Sequence, residues 1–231
     1  MSKLKYLYVN GDSWMAGDGV EEKGYKVQGT KRCSKLLSDK LGLIEINEST
    51  SGGSNDRMVR TTIEWFDNNT DKWDEVLVIL GFIEPIRTEY WNDTFKDGTM
   101  WLGWNVGQDY IQHDLLDIVG DKEWREKYVT FFLNKTTLNY TLKNQILLLT
   151  SFFDSNNIKY LMFFSWGIEI EEFKDFKTIN KKYIISETFK EYIENKIGPK
   201  KALTKCDHPS VDGHKIWTEK LYEELVDRKV L

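Results

Sequence analysis

Cysteine, proline and histidine are all scarce in these 231 residues, and long apolar runs are absent. Two cysteines, Cys33 and Cys206, make no disulfide framework. With only three histidines and no Cys-x-x-Cys or His/Cys cluster, no soft-metal site is expected. No run approaches the roughly 18–20 apolar residues of a membrane helix, so membrane insertion is not expected. The N-terminus, MSKLKYLYVNGDSW, has neither the apolar stretch nor the small-residue cleavage site of a signal peptide, and the expected location is cytoplasmic. A basic surplus is missing too. Thirty-two Lys and Arg against 37 Asp and Glu leave −5, which argues against a phosphate-backbone binder, and no nucleic-acid partner is expected. There is no repeat, low-complexity tract or linker. A chain of this length, 40% hydrophobic and 30% charged, buries an adequate core as one domain over 1–231. Its Lys-, Ile- and Asn-rich composition suits an AT-rich genome and is compatible with a virally encoded, phage-type protein.

Aromatic residues, by contrast, reach 14% and include nine tryptophans. Such rings serve either as core mass or as flat walls of a ligand cleft. The apolar patterning alternates strand and helix. Leu4 to Asn10 reads as a strand closed by Gly11-Asp12-Ser13. A helix follows over about Lys31 to Leu41, ending at Gly42. Leu43 to Asn47 alternates as a strand, Ser51-Gly-Gly-Ser turns, and Asn55 is placed to cap a helix running to about Phe66. Glu75 to Leu80 is a continuous apolar run, the signature of a strand buried on both faces of a parallel sheet. Residues 90 to 121 show little periodicity. A helix is read over about Lys122 to Asp154, a strand over Lys159 to Phe164, and a final helix over about Asp212 to Asp227. The pattern predicts an α/β fold, a three-layer α/β/α sandwich with a mostly parallel sheet. Ligands of such sheets bind beyond the carboxyl ends of the strands, so the turns at Ser13, Gly52 and Gly81 are expected to cluster.

Ser13 follows the first strand, and His208 precedes the last helix. A serine needs a base within hydrogen-bond reach to become a nucleophile, and histidine is the usual base near neutral pH. Attack on a carbonyl creates an oxyanion that needs donors already in place. Gly52 can offer a bare N–H, and Asn55 either a side-chain amide or only a helix cap.

Gly11-Asp12-Ser13-Trp14, Asn47 followed by Gly52, and His208-Pro209 with Gly213-His214 together resemble the blocks of the SGNH hydrolases, the GDSL-type esterase family. The blocks run in family order across residues 4 to 217. The resemblance implies a flavodoxin-like SGNH fold in which Ser13 attacks an ester carbonyl and His208 acts as base and then acid. It also implies an oxyanion hole that includes the N–H groups of Ser13 and Gly52. Neither a metal nor an organic cofactor is implied. Asp12 in this family shapes the turn.

Two positions depart from the family. Its third block, Gly-x-Asn-Asp, reads Gly81-Phe82-Ile83-Glu84 here, so the oxyanion asparagine is replaced by Ile83. Asn55 is the candidate substitute, since Gly52-Gly53-Ser54-Asn55 is similar to variants reading Gly-x-Ser-Asn, with a downstream Arg and Glu, found in phage-encoded members. The family's Asp three residues before the histidine is Lys205. Asp207 is the nearest carboxylate, but neighbours in extended chain point to opposite sides. Either a turn brings Asp207 to the ring, or a backbone carbonyl orients it and leaves a Ser13–His208 dyad.

Trp14, Glu84, Arg87, Trp101 and Trp104 are candidate substrate contacts. The tryptophans belong to an aromatic insert at about 88–121 that, with a second insert at about 167–200, is expected to overhang the sheet edge. His214 reads as a packed or surface helix residue, His113 as surface, Asp56-Arg57 as an exposed pair, and Cys206 as no nucleophile. The expectation is a serine esterase acting on a small-molecule or glycan ester, O-acetyl carbohydrate first. The alternatives are a catalytically weak scaffold that binds carbohydrate or serves viral assembly, and an O-acyltransferase using the same residues.

Overall fold

The computed structural model describes residues 4–19, 30–92, 100–105, 135–166 and 180–231. Four strands form one all-parallel sheet in the order β2-β1-β3-β6: β1 (Tyr6–Asn10), β2 (Ile44–Asn47), β3 (Val76–Phe82) and β6 (Lys159–Phe164). β3 is buried along its whole length, and β1 and β6 nearly so, which is why these runs are apolar without alternation.

The period-2 geometry of the strands divides the core in two. Leu7, Val9, Leu77, Ile79, Leu161 and Phe163 face one way, onto α2 (Cys33–Leu41), α5 (Phe189–Ile197) and α7 (Val211–Asp227). Tyr8, Val78, Leu80, Phe82, Tyr160 and Met162 face the other, onto α3 (Asn55–Asn68) and α4 (Lys135–Ser155). Two short helices, α1 (Ser13–Ala16) and α6 (Pro199–Ala202), complete the α-helices among the described residues. This is the three-layer sandwich that the strand–helix alternation predicts.

Much of the aromatic excess is core. Phe189 stacks on Trp217 at 4.7 Å and 10°, and Tyr8, Trp65, Phe66, Trp73, Phe152 and Phe153 form a continuous cluster on the opposite face. Trp14, a candidate substrate contact, is buried edge-on against Phe189 at 5.3 Å and belongs to this core.

Three local features differ from the sequence reading. The cap of α3 is Ser54, whose hydroxyl accepts from Arg57 N at 3.1 Å, rather than Asn55. Part of the aperiodic segment is an antiparallel hairpin, β4 (Arg87–Asn92) with β5 (Met100–Asn105), which makes its own two-stranded sheet. It is tied to α3 by a two-pronged Arg60–Glu89 ion pair, both contacts 2.8 Å. Asp56 and Arg57 do not form an exposed pair. Asp56 accepts from Gln145 of α4 at 2.6 Å, while Arg57 donates to the Glu48 carbonyl at 2.8 Å. The α4 helix begins at Lys135 among the described residues; the rest of the helix read from 122 lies outside them, as do 93–99, 106–134 and 167–179.

His214 lies wholly inside the layer between α2 and α7. Its Nδ1 accepts from Cys33 N at 3.2 Å, while Nε2 has no partner among the described residues. Burial, reinforced by Arg32 and His208, pushes its pKa down to about 3. The unfolded chain therefore takes up a proton near pH 6.5 that the folded chain refuses until about pH 3. This contribution is complete above about pH 6.5 and is lost as pH falls below it, by up to about 1.4 kcal/mol per pH unit. Urea midpoints between pH 7 and 5 are expected to fall less in His214→Asn, which keeps an acceptor for Cys33 N but does not titrate. Parallel pH curves for the two proteins would contradict a neutral buried His214.

Candidate active site

Asp12 starts the site. Its Oδ1 caps α1 by accepting from Trp14 N at 3.1 Å, which sets Ser13 as the first helical residue immediately after β1. Ser13 is 5% exposed. From the other end of the chain, His208 brings Nε2 to 3.0 Å from Ser13 Oγ. Its Nδ1 lies 2.8 Å from the Cys206 carbonyl. A carbonyl only accepts, so Nδ1 carries the proton and Nε2 presents its lone pair to the serine hydroxyl.

The loop that carries His208 is tightly built. Thr204 N donates to the His208 carbonyl at 2.8 Å, Asp207 N donates to the Thr204 carbonyl at 3.1 Å, and Leu203 bridges Pro209. Ser210 caps α7 and donates its hydroxyl to the Lys201 carbonyl at 2.6 Å. Asp207 has a φ of 58°, a left-handed conformation that Asp tolerates better than most side chains. That turn aims the Cys206 carbonyl at the ring while the Asp207 side chain stays exposed. The geometry thus gives the orienting contact to the main chain of Cys206, not to the Asp207 carboxylate. Lys205 is exposed as well.

The second and third turns close on the first. Thr50 N donates to the Gly11 carbonyl at 3.3 Å. Gly52 has a φ of +69°, suited to glycine, and its N–H, like that of Ser13, has no acceptor among the described residues. Asn55 is buried and grips the main chain of Ile83 from both sides: its Nδ2 donates to the Ile83 carbonyl at 2.8 Å and its Oδ1 accepts from Ile83 N at 3.0 Å. It thereby stands against the very residue that replaces the family's asparagine. One amide hydrogen remains beyond this clamp.

Arg87 and Glu84 follow β3. Arg87 Nη1 lies 3.5 Å from Asp12 Oδ2 and 3.4 Å from the Gly53 carbonyl, and its guanidinium covers the Trp166 ring at 5.2 Å. Burial raises the Glu84 pKa, and Arg87 opposes the rise. Trp101 and Trp104 lie on β5, their Cα atoms paired with Trp91 and Thr88. Trp101 is therefore four residues along the hairpin from Arg87. His113 lies outside the described residues.

Three contributors were not anticipated from sequence. Trp166 Nε1 donates to Asp12 Oδ2 at 3.1 Å. Asn10 ends β1 by donating to Thr61 Oγ1 at 2.8 Å and accepting from Gly11 N at 2.9 Å, which anchors the Ser13 turn to α3. Gly19, at φ +79°, passes so close to the histidine loop that a Cβ there would stand 2.8 Å from His208 Cβ. For the last, the sequence shows only that a glycine stands six residues past Ser13. Among the described residues, no group of three or more His, Cys, Asp and Glu is arranged to hold a metal ion, and no helix is long and apolar enough to cross a membrane.

A parallel four-stranded sheet between helical layers is a fold this chain shares with solved esterases. The chain belongs to the family of unknown function DUF6071, whose model matches residues 22–231. No curated protein is similar to it in sequence. Among solved structures it is similar to TesA (12% identity, TM-score 0.55, covering 98% of this chain and 100% of that one). It is similar to the psychrotrophic esterase EstA from Pseudoalteromonas sp. (12%, 0.51, 96% and 97%). It is also similar to Est2A, an acetyl xylan esterase from the rumen bacterium Butyrivibrio proteoclasticus (12%, 0.50, 99% and 65%). A structure from Desulfitobacterium hafniense, described as a lipolytic protein of the G-D-S-L family, shares the fold (13%, 0.50, 98% and 99%). At these identities the likeness is one of fold.

Gly19→Ala is expected to push the His208 loop outward and slow modification of Ser13 by an organophosphonate about tenfold or more. Its thermal midpoint should drop only modestly, as a single strained residue costs about 1–3 kcal/mol. An unchanged labelling rate would show that Gly19 does not constrain the histidine.

Proposed function

We propose that the chain is a serine esterase in which Ser13 is the nucleophile and His208 the general base. The observation that carries this reading is the 3.0 Å contact between Ser13 Oγ and His208 Nε2, with Nδ1 held by the Cys206 carbonyl. As Ser13 Oγ attacks the ester carbonyl carbon, Nε2 takes its proton and the carbonyl oxygen becomes an oxyanion. The reading assigns that oxyanion to the N–H groups of Ser13 and Gly52 and to the remaining amide hydrogen of Asn55. When the intermediate collapses, His208 returns the proton to the departing alkoxide. Water, deprotonated by the same nitrogen, then releases the acid and restores Ser13.

The missing carboxylate is compatible with this chemistry. The severe loss on replacing a triad Asp by Asn comes from the wrong imidazole tautomer, and a carbonyl acceptor imposes the right one. What the carbonyl supplies less of is charge stabilisation for the imidazolium. The proposed substrate class is a short acyl ester, with O-acetyl on carbohydrate first. An acetyl xylan esterase shares the fold, and the hairpin that begins at Arg87 carries Trp91, Trp101 and Trp104.

A fluorophosphonate probe tests the reading. The folded chain is expected to label at Ser13, Ser13→Ala not at all, and His208→Ala about a hundredfold more slowly or worse. Asp207→Asn is expected to label within about twofold of the parent, since its carboxylate does not hold the ring. A folded chain that never labels would favour a binding scaffold. Loss of labelling in Asp207→Asn would restore the carboxylate to the mechanism.

A further inference from the structure

Arg87 reaches three separate parts of the site with one guanidinium. It contacts Asp12, adjacent to Ser13; the carbonyl of Gly53, adjacent to Gly52; and the face of Trp166, two residues past β6. Its side chain is 12% exposed and that of Asp12 is 1% exposed, so the pair is largely removed from water. Trp166 closes the arrangement by donating Nε1–H to the same carboxylate oxygen that faces Arg87. Asp12 is left with no idle oxygen: Oδ1 holds Trp14 N, and Oδ2 holds Trp166 and Arg87. Arg87 begins the β4–β5 hairpin, so the hairpin is fastened to the nucleophile turn through this residue.

We propose that Arg87 is a positioning residue rather than a substrate contact: a buried cation that faces the Asp12 carboxyl and ties the Ser13 turn to the Gly52–Gly53 turn. The inference rests on the esterase reading for its kinetic consequence, but not for the clamp itself. Its logic is that of an ion pair in low dielectric. Removing one partner leaves the other charge uncompensated, which costs far more than the pair contributes.

Burial pushes the Asp12 carboxyl up; Arg87 opposes that most strongly, followed by the hydrogen bonds from Trp166 and Trp14 and by His208. Burial in turn lowers the Arg87 pKa, opposed by Asp12 and Glu84. The charged and titratable groups concerned are therefore Arg87 from β4, His208 from the loop before α7, and Glu84 acting on Arg87. Without the guanidinium, Asp12 takes up its proton at a higher pH. A protonated Oδ2 becomes a donor facing another donor, the Trp166 indole N–H, and the cap over Ser13 loosens.

The test uses the full chain labelled with nitrogen-15, with the Trp166 indole resonance assigned by Trp166→Phe. Its acid titration reports Asp12 whether or not the chain is an enzyme. In Arg87→Gln the midpoint is expected to rise by about one pH unit or more. In Arg87→Lys, which keeps the charge, it should stay near that of the parent. Fluorophosphonate labelling of Ser13 at neutral pH should slow about tenfold in Arg87→Gln, with a matching upward shift in the acid limb of its pH profile, and recover most of the loss in Arg87→Lys. An unchanged Trp166 midpoint in Arg87→Gln would overturn the clamp. A parent chain that fails to label would overturn the esterase reading while leaving the Trp166 titration to judge the clamp. If Arg87→Gln does not fold, Asp12→Asn/Arg87→Gln is expected to fold, because no lone charge is then buried. Failure of that double variant would contradict charge pairing as Arg87's role.

Discussion

Ser13 and His208 are 195 positions apart in the chain and 3.0 Å apart in space, and the rest of the architecture can be understood as the means of holding that contact. Ser13 is fixed because β1 is buried on both faces and ends in a turn capped by Asp12. His208 is fixed because its loop is stitched to itself through Thr204, Asp207 and Pro209 and to α6 and α7 through Ser210. Gly19 lets the two segments approach. The sheet supplies the frame: its parallel strands deliver successive turns to one edge, where single side chains such as Asn55 and Arg87 lock one turn to the next.

The site replaces two familiar parts by main-chain and long-range devices. The carboxylate behind the histidine gives way to the Cys206 carbonyl, and the asparagine after the third strand gives way to Asn55 reaching Ile83 from the start of α3. The first keeps a hydrogen-bond acceptor on the imidazole while removing a fixed charge from behind it, and the second exchanges one neutral amide for another. Beside Ser13 stands another carboxyl, Asp12, faced by Arg87. On the proposed esterase reading, the absence of a triad-type carboxylate leaves a His208 imidazolium less stabilised by charge. In the proposed esterase, orientation and the oxyanion donors would then contribute more of the barrier lowering.

The layers were legible in sequence because burial leaves a local trace. The continuous apolar run of β3 and the period of α2 ending at Gly42 each reflect an environment that every residue in the element shares. Lys159–Phe164 matches its expected bounds for the same reason. Ser13 and His208 stood out because their chemistry is specific and their places in the strand order are diagnostic. What stayed hidden depends on partners far away in the chain. Ser54 and Asn55 are both good caps, and only the Ile83 main chain, 28 residues on, decides that Ser54 caps while Asn55 turns inward. Asp207 looked like a carboxylate beside a histidine. Its left-handed φ, which sets the Cys206 carbonyl at the ring, has no signature in its neighbours. Trp14 and the Asp12–Arg87 pair were likewise decided by what packs against them: Phe189 in one case, and a residue 75 positions away in the other.

A crystal structure of Ser13 phosphonylated by a small organophosphonate would test the central claim most directly. The account predicts a phosphorus–Oγ bond at Ser13, with the phosphoryl oxygen within about 3 Å of the Ser13 and Gly52 nitrogens and Asn55 Nδ2. His208 Nδ1 should still bond the Cys206 carbonyl. A phosphoryl oxygen pointing away from Gly52 and Asn55, or a His208 ring released from Cys206 and turned to Asp207, would contradict it.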